Sequence, residues 1–367
     1  MKMNTTRACQ RITTLFENLV NSDRKIHNAH LLIHSNTYQL HLNLARGNTK
    51  TIIESSVEVG QPVYMASVGK LFTAVLIGML CDQGKLSFGS RITNLLDSDL
   101  LELLHVFKKK DYTPLIQLKH LLNHTSGLPD YFEDKPAKGP RMIERMLNEP
   151  ELFYQPREVV TWAKENLKSK FSPGNGFYYS DTGYHLLGLV IEAVTGKPFH
   201  DALSHWIFEP LGMKQSFLIG HSLPLQTSRY PLAGVYSGDI NIAGYRSLGM
   251  DYAGGGITAP IEDLLKFIQG LVQGKLLNEQ TFRMMDDYAR FAPGMDYGCG
   301  FIKIRYFPLL MPTKYSCWGN AGSTGSFMFY HPGLDTYLIG SLNQFRYHQK
   351  GIQFMLRVVD VLYKEIC

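Results

Sequence analysis

The sequence predicts an α+β protein: one antiparallel sheet built from both chain ends, flanked by terminal helices, with a mostly helical domain inserted between them. Two observations predict it. Strand-like runs occur near the start, in residues 30–46, and again in the last third, whereas residues 85–254 carry helical spacing and long loops. Amphipathic helical patterns sit at both termini, where they can cover the sheet that the two ends would form. This divides the chain into a sheet domain, 1–84 with 255–367, and an inserted helical domain, 85–254. A ligand cleft is expected where the two meet.

The elements follow in order. Ile12, Leu15, Phe16 and Leu19 put one apolar face on a helix over 5–22. Residues 30–34 and 38–42 flank a Ser35-Asn36-Thr37 turn and read as a hairpin. An extended run, Pro62 to Met65, leads into a helix with Phe72, Val75, Leu76 and Leu80 on one face, stopped at Gly84. A short helix over 116–122 ends in Asn123-His124-Thr125-Ser126-Gly127-Leu128-Pro129-Asp130. Helices near 140–149 and 156–168 come next. The breakers Ser172-Pro173-Gly174-Asn175-Gly176 then deliver Tyr178-Tyr179-Ser180-Asp181 to a helix from Thr182 to Val194. Another helix covers 198–208, and residues 213–250 are irregular. Gly254-Gly255-Gly256 reads as a hinge-like break; no Lys-Ser/Thr pair follows, so it is not a phosphate loop. Helices at 260–273 and 278–287, strands near 297–306, 313–319, 325–331 and 335–342, and a helix over 347–364 complete the chain.

Composition narrows the class. The 367 residues, 44% hydrophobic and 19% charged, suit a globular protein with a sizeable core. The net charge of +5 is dispersed, with no basic stripe for nucleic acid. Five cysteines, Cys9, Cys81, Cys299, Cys317 and Cys367, are odd in number and widely spaced, which points to free thiols and not to a disulfide framework or zinc site. His120 and His124 are four apart but lack the glutamate of a zinc helix, so no metal is expected. The N-terminus shows no signal peptide, and the longest apolar run, Leu71 to Leu80, is too short to span a bilayer; a cytoplasmic protein is the expectation.

Ser67-Val68-Gly69-Lys70 is the stretch that carries chemistry. Ser67 stands near the first turn of a helix, whose free N–H groups and partial positive charge favour a developing oxyanion. Lys70, three residues on, shares its face. A lysine beside a serine in an apolar cleft can serve as its base. The spacing alone is weak, because Ser22-Asp23-Arg24-Lys25 repeats it in what reads as surface charge, and an N-cap serine beside an exposed lysine is the ordinary alternative. No Gly-x-Ser-x-Gly elbow occurs, which disfavours an α/β-hydrolase.

Two later stretches complete a pattern. With Ser67-Val68-Gly69-Lys70 first, Tyr179-Ser180-Asp181 second and Gly319-Asn320-Ala321-Gly322-Ser323-Thr324-Gly325 third, the chain resembles the serine β-lactamase and penicillin-binding-protein-like family, in particular its class C-type branch. That branch includes D,D-peptidases, D-amino-acid peptidases, amidases and esterases. The resemblance runs from about Ala29 to Leu342. It is supported by Leu121 to Asp130, by Phe208-Glu209-Pro210-Leu211-Gly212-Met213 and by Gly254-Gly255-Gly256-Ile257. It implies a β-lactamase/transpeptidase-like fold, no cofactor, and a small-molecule or peptide-like ester or amide substrate.

The resemblance also implies roles. Ser67 is the nucleophile and forms an acyl-enzyme, Lys70 helps as proton acceptor or electrostatically, and Tyr179 shuttles a proton to the leaving group. The backbone N–H groups of Ser67 and of Ser323, on a strand edging the cleft, form the oxyanion hole; Ala321 and Gly322 lie against the substrate. Asp181 and Asn320 depart from the pattern. Asp181 stands for the usual Asn and should favour the charged form of Lys70, moving the burden toward Tyr179. Asn320 stands for the usual cation or imidazole, so neutral esters or amides are expected to outrun anionic substrates. The alternatives are a β-lactamase or D-alanyl-D-alanine carboxypeptidase, and a non-catalytic binding or regulatory protein on the same scaffold. Loops around 131–140 and 213–250, with Tyr131, Phe132, Tyr236 and Tyr245, are expected to wall the cleft.

Overall fold

The computed structural model describes residues 5–50, 56–308 and 311–366; Cys367 lies outside them. The two chain ends meet in one eight-stranded antiparallel sheet. Its spatial order is Ala289–Ala292, Met295–Tyr297, Ile302–Ile304, Cys317–Ala321, Phe327–His331, Thr336–Ser341, Asn28–Ser35 and Leu40–Gly47. The N-terminal hairpin joins the C-terminal strands through Asn28–Ser35, where Leu32 faces Ile339 and His34 faces Tyr337. The terminal helices Thr5–Ser22 and His348–Ile366 cover one face. Ala8, Ile12, Phe16 and Val20 form an i, i+4 stripe that packs with Phe354, Met355, Val358, Val359 and Leu362, and the rings of Phe16 and Phe354 stand 5.9 Å apart. The helix Ile261–Val272 covers the other face.

The helix after Ser67, Lys70–Asp82, is buried on nearly every side and not on one face only. It is wedged between the sheet and the helical part of the chain, so an all-apolar surface is what its position requires. Phe72 stacks on Phe267 at 3.6 Å between ring centroids.

Several elements differ from the sequence reading. The run into Ser67 is not part of the large sheet: Val63–Tyr64 pairs with Ile257–Ala259, which also pairs with Phe217–Leu218, in a separate small sheet. The strand expected over 297–306 is two strands, because Gly298 to Phe301 turn the chain and Gly300 sits at φ +87°. The strand Ala289–Ala292 was not anticipated; it is partly exposed and bulged, so its pattern is faint. Cys317–Ala321 is an interior strand, and Ser323 lies in the turn beyond it and not on the strand.

Candidate active site

The chain enters the site by a sharp kink. Ala66, the first residue of the 3-10 turn Ala66–Gly69 that follows the strand Val63–Tyr64, adopts φ +47°, a conformation that costs a non-glycine residue energy and that concentrates at functional sites. Ser67 thus sits on a 3-10 turn, and the α-helix begins at Lys70. Lys70 is wholly buried behind Ser67. Its Nζ donates to Ser67 Oγ at 3.2 Å and to the Gly254 carbonyl at 2.6 Å, and it forms an ion pair with Asp181. Burial works against the ammonium, but the facing Asp181 carboxylate outweighs it and holds Lys70 above the usual lysine range. The rings of Tyr179 and Tyr184 flank the ammonium, 4.9 and 5.2 Å from Nζ.

The three glycines 254–256 are not a hinge. They form a close-packed wall behind the serine. A Cβ on Gly254 would stand 3.0 Å from Asp181 Oδ1, and one on Gly255 would meet Asp251 and stand 3.0 Å from the Ala66 carbonyl carbon. Gly322 is constrained in the same way: a Cβ there would lie 2.7 Å from Met65 O and 2.9 Å from Ala66 Cβ. Ser326 Oγ donates to Met65 O at 2.7 Å and ties that turn to the nucleophile turn.

Tyr179 is delivered by two chain segments stitched together. Tyr178 N–H donates to His124 O at 2.9 Å, Ser180 N–H to His124 Nδ1 at 3.1 Å, and Asp181 N–H to Asp130 Oδ1 at 2.8 Å. Tyr131 N–H donates to Thr182 Oγ1 at 3.0 Å. The His124 ring stacks on the Tyr179 ring. The end of the Leu121 to Asp130 signature, with Tyr131 after it, is therefore the cradle of Tyr179 and Asp181. Burial, then the Asp181 charge, pushes the Tyr179 hydroxyl well above the ordinary phenol range, while its hydrogen bond with Ser67 works the other way. Tyr179 is a neutral phenol at neutral pH.

A cavity of about 250 Å³ opens in front of these groups. Ser67, Tyr179, Asp181, Asn320, Ala321, Gly322 and Ser323 all line it, so the residues named from the three motifs converge. Asn320 faces the cavity, yet its amide is spent inside the protein: Nδ2 donates to Gly300 O at 2.8 Å and to Tyr297 Oη at 3.3 Å, and Oδ1 accepts from Ala321 N–H at 2.8 Å. That corrects its assignment as a substrate contact. Of the aromatics expected to wall the cleft, Phe132 does so; Tyr131 lies buried beneath, and Tyr236 and Tyr245 pack elsewhere. Phe291 and Ile302 line the cavity from the sheet, and His348 and Ile352 from the C-terminal helix; the sequence did not single them out.

Sequence reasoning also missed the carboxylates. Asp130, Glu133 and Asp251 join Asp181 on the cavity wall. Burial, then Asp181, raises Asp130 well above the carboxylate range and Asp251 to about 6. Tyr64 Oη donates to Asp251. Asp130 ends the recognisable signature and so was findable, whereas Asp251 follows directly on the irregular stretch 213–250, at the end of the 3-10 turn Arg246–Asp251, with no local signal. Tyr184 had a signal of its own, three residues beyond Asp181 on the first turn of the helix Asp181–Thr195. Among the described residues no cluster of His, Cys, Asp or Glu could hold a metal ion, and Cys9, Cys81, Cys299 and Cys317 are free thiols. No helix among them is long and apolar enough to cross a membrane.

A serine contacted by a buried lysine three residues on, with a tyrosine across the cavity and a strand end opposite, is the arrangement expected of the β-lactamase and penicillin-binding class. The family model described as Beta-lactamase matches residues 43–357, and the chain belongs to that family. It is 27% identical over 261 residues to penicillin-binding protein 4* of Bacillus subtilis (strain 168), covering 65% of this chain and 51% of that protein. It is 27% identical over 241 residues to a D-aminopeptidase of Brucella anthropi, covering 65% of this chain and 41% of that protein. The chain thus spans about half the length, or less, of these curated relatives. The fold is that of the D-stereospecific amidohydrolase from Streptomyces sp., with a TM-score of 0.74, 22% identity and 98% of each chain covered.

Proposed function

We propose that the protein is a serine hydrolase that cleaves an ester or amide through a Ser67 acyl-enzyme. The observation that carries this reading is the 3.2 Å contact from Lys70 Nζ to Ser67 Oγ at the floor of a cavity that Tyr179 also lines. Ser67 attacks the carbonyl, whose oxygen moves toward the backbone N–H groups of Ser67 and Ser323. Tyr179, a neutral phenol beside Ser67, protonates the leaving atom, and water then releases the acyl group.

The substrate is one without a carboxylate near the scissile bond. Four carboxylates, Asp130, Glu133, Asp181 and Asp251, line the cavity, and no lysine or arginine is among the described residues lining it. Phe132, Phe291, Ile302 and Ile352 offer apolar surface to an acyl or leaving group. Neutral esters and amides, and those that carry an ammonium group, fit this lining better than a penicillin, whose carboxylate would meet exposed Glu133 with no lysine or arginine among the described residues on the wall to hold it. Intact-protein mass after brief exposure to a neutral activated ester and, separately, to a penicillin tests the reading, with Ser67→Ala as control. A Ser67-dependent acyl adduct or turnover with the ester alone is expected. A lasting penicillin adduct would restore the penicillin-binding alternative, and no adduct or turnover with any ester would overturn the hydrolase reading.

A further inference from the structure

Lys70 has three N–H bonds when protonated; Nζ donates to Ser67 Oγ at 3.2 Å and to the Gly254 carbonyl at 2.6 Å, and it forms an ion pair with the Asp181 carboxylate, whose buried Oδ1 has no other partner among the described residues. An ammonium so engaged points no lone pair at Ser67 and cannot take its proton. It must first lose one. A peptide carbonyl does not accept it, and Ser67 is the group to be deprotonated. Asp181 is the acceptor that remains. Tyr179 offers no substitute, because it too is held in its protonated form.

The geometry points to Asp181 as the terminal proton store for the Ser67 nucleophile, loaded through Lys70; the inference rests on the hydrolase reading above. As Ser67 Oγ bonds to the substrate carbonyl carbon, the Oγ–H proton passes to Lys70 Nζ and an Nζ–H proton passes to Asp181 Oδ1. The carbonyl π pair moves onto oxygen. Lys70 ends as it began, an ammonium, and one negative charge has moved from Asp181 to the new oxyanion. The buried cation therefore faces one anion before the step and one after it, which spares the site an uncompensated charge. When the intermediate collapses, the bond to the leaving atom breaks. The stored proton then returns from Asp181 through Lys70 and the Tyr179 hydroxyl to that atom.

An asparagine at position 181 could not hold the proton. This makes Asp181, a departure from the family pattern, the group that lets a permanently charged lysine serve as a relay. Gly254 supports it by close approach, since a Cβ there would crowd Asp181 Oδ1 at 3.0 Å and stand 3.7 Å from Lys70 Nζ.

4-Nitrophenyl acetate is the probe, because its leaving group needs no proton and the burst reports acylation alone. Wild type is expected to show a Ser67-dependent burst with a curved proton inventory in mixed water and heavy water. Asp181→Asn is expected to acylate about 10²- to 10³-fold more slowly and to show a linear inventory. Asp181→Glu should recover the curvature. A linear inventory in wild type, which needs no variant to fold, would overturn the relay, as would Asp181→Asn acylating at the wild-type rate with the same curved inventory. No Ser67-dependent burst in wild type would overturn the hydrolase reading and the relay with it.

Discussion

The His124 imidazole lies stacked on the Tyr179 ring, with centroids 4.2 Å apart and planes 30° from parallel, while its Nδ1 accepts the Ser180 N–H at 3.1 Å. One buried side chain thus orients both the Tyr179 ring and the backbone beside it. Burial, then the Lys70 charge, holds His124 well below the usual histidine range, so it is a neutral ring with its proton on Nε2. His124→Leu leaves the buried Ser180 N–H without its acceptor and is expected to cost about 1–3 kcal/mol in urea denaturation. His124→Asn, which can place an oxygen near the position of Nδ1, should recover part of that. In both variants kcat should fall more than KM rises, because the ground-state cavity is intact and the tyrosine is loosened. A Leu variant with wild-type stability and kcat would refute this role.

Tyr179→Phe separates proton donation from nucleophilic attack. An amide must receive a proton to leave, and a 4-nitrophenyl ester need not. The variant is expected to lose about 10²–10⁴-fold in kcat/KM on a neutral amide and markedly less on the activated ester. Equal losses on both would mean that Tyr179 acts on Ser67 and not on the leaving group. Because Tyr179 is held well above the ordinary phenol range, no alkaline limb below pH 10 should trace to it.

Selectivity against anions should reside in the carboxylates and not in Asn320. Asn320 makes three internal hydrogen bonds, so Asn320→Lys would strand Gly300 O and Ala321 N–H, costing about 1–3 kcal/mol for each buried group. Glu133 stands exposed at the cavity. At about 6 Å in water its charge is worth about 0.7 kcal/mol against a substrate carboxylate. Glu133→Gln is therefore expected to raise kcat/KM for a hemisuccinate ester about three-fold and leave a neutral acetate ester unchanged. Parallel kinetics on the two esters decide it, and a change of the same size on both would count against an electrostatic cause.

The large sheet and the terminal helices were legible because their patterns are local. The stripe from Ala8 to Val20 announces one buried face, and the apolar run Leu31-Leu32-Ile33 announces a strand buried on both faces. That Ser67, Lys70 and Tyr179 would come together was legible because the three motifs mark their positions in the chain, and the structure does bring them together. What the sequence hid depends on distant segments. Asp251 matters because residues 246–251 fold back onto Tyr64, and no periodicity encodes that. Asn320 reads as a substrate contact until Gly300 and Tyr297, some twenty residues earlier, are seen to enclose it. The glycines at 254–256 read as a hinge because glycine permits both mobility and close approach, and only the neighbours tell which.

His30 gives a test of the fold that is independent of the site. It is buried on the strand Asn28–Ser35, opposite Ser341, with Nε2 at 3.2 Å from the Glu58 carbonyl. Burial lowers its pKa from 6.5 to about 4. Between these values the unfolded chain binds a proton at this residue and the folded chain does not, so stability falls as pH drops from 6.5 toward 4. The slope is about 1.4 kcal/mol per pH unit, and about 3 kcal/mol is lost over the window. Asp251, raised to about 6, contributes the opposite slope, since its folded form holds a proton that the unfolded form releases. Comparing wild type with His30→Gln removes that term, because Asp251 is common to both. Urea denaturation at pH 7.5, 6 and 5 should show the variant losing less stability on acidification than wild type. Parallel curves would mean that His30 is protonated in the native sheet, with a partner for its charge that the strand pairing does not supply.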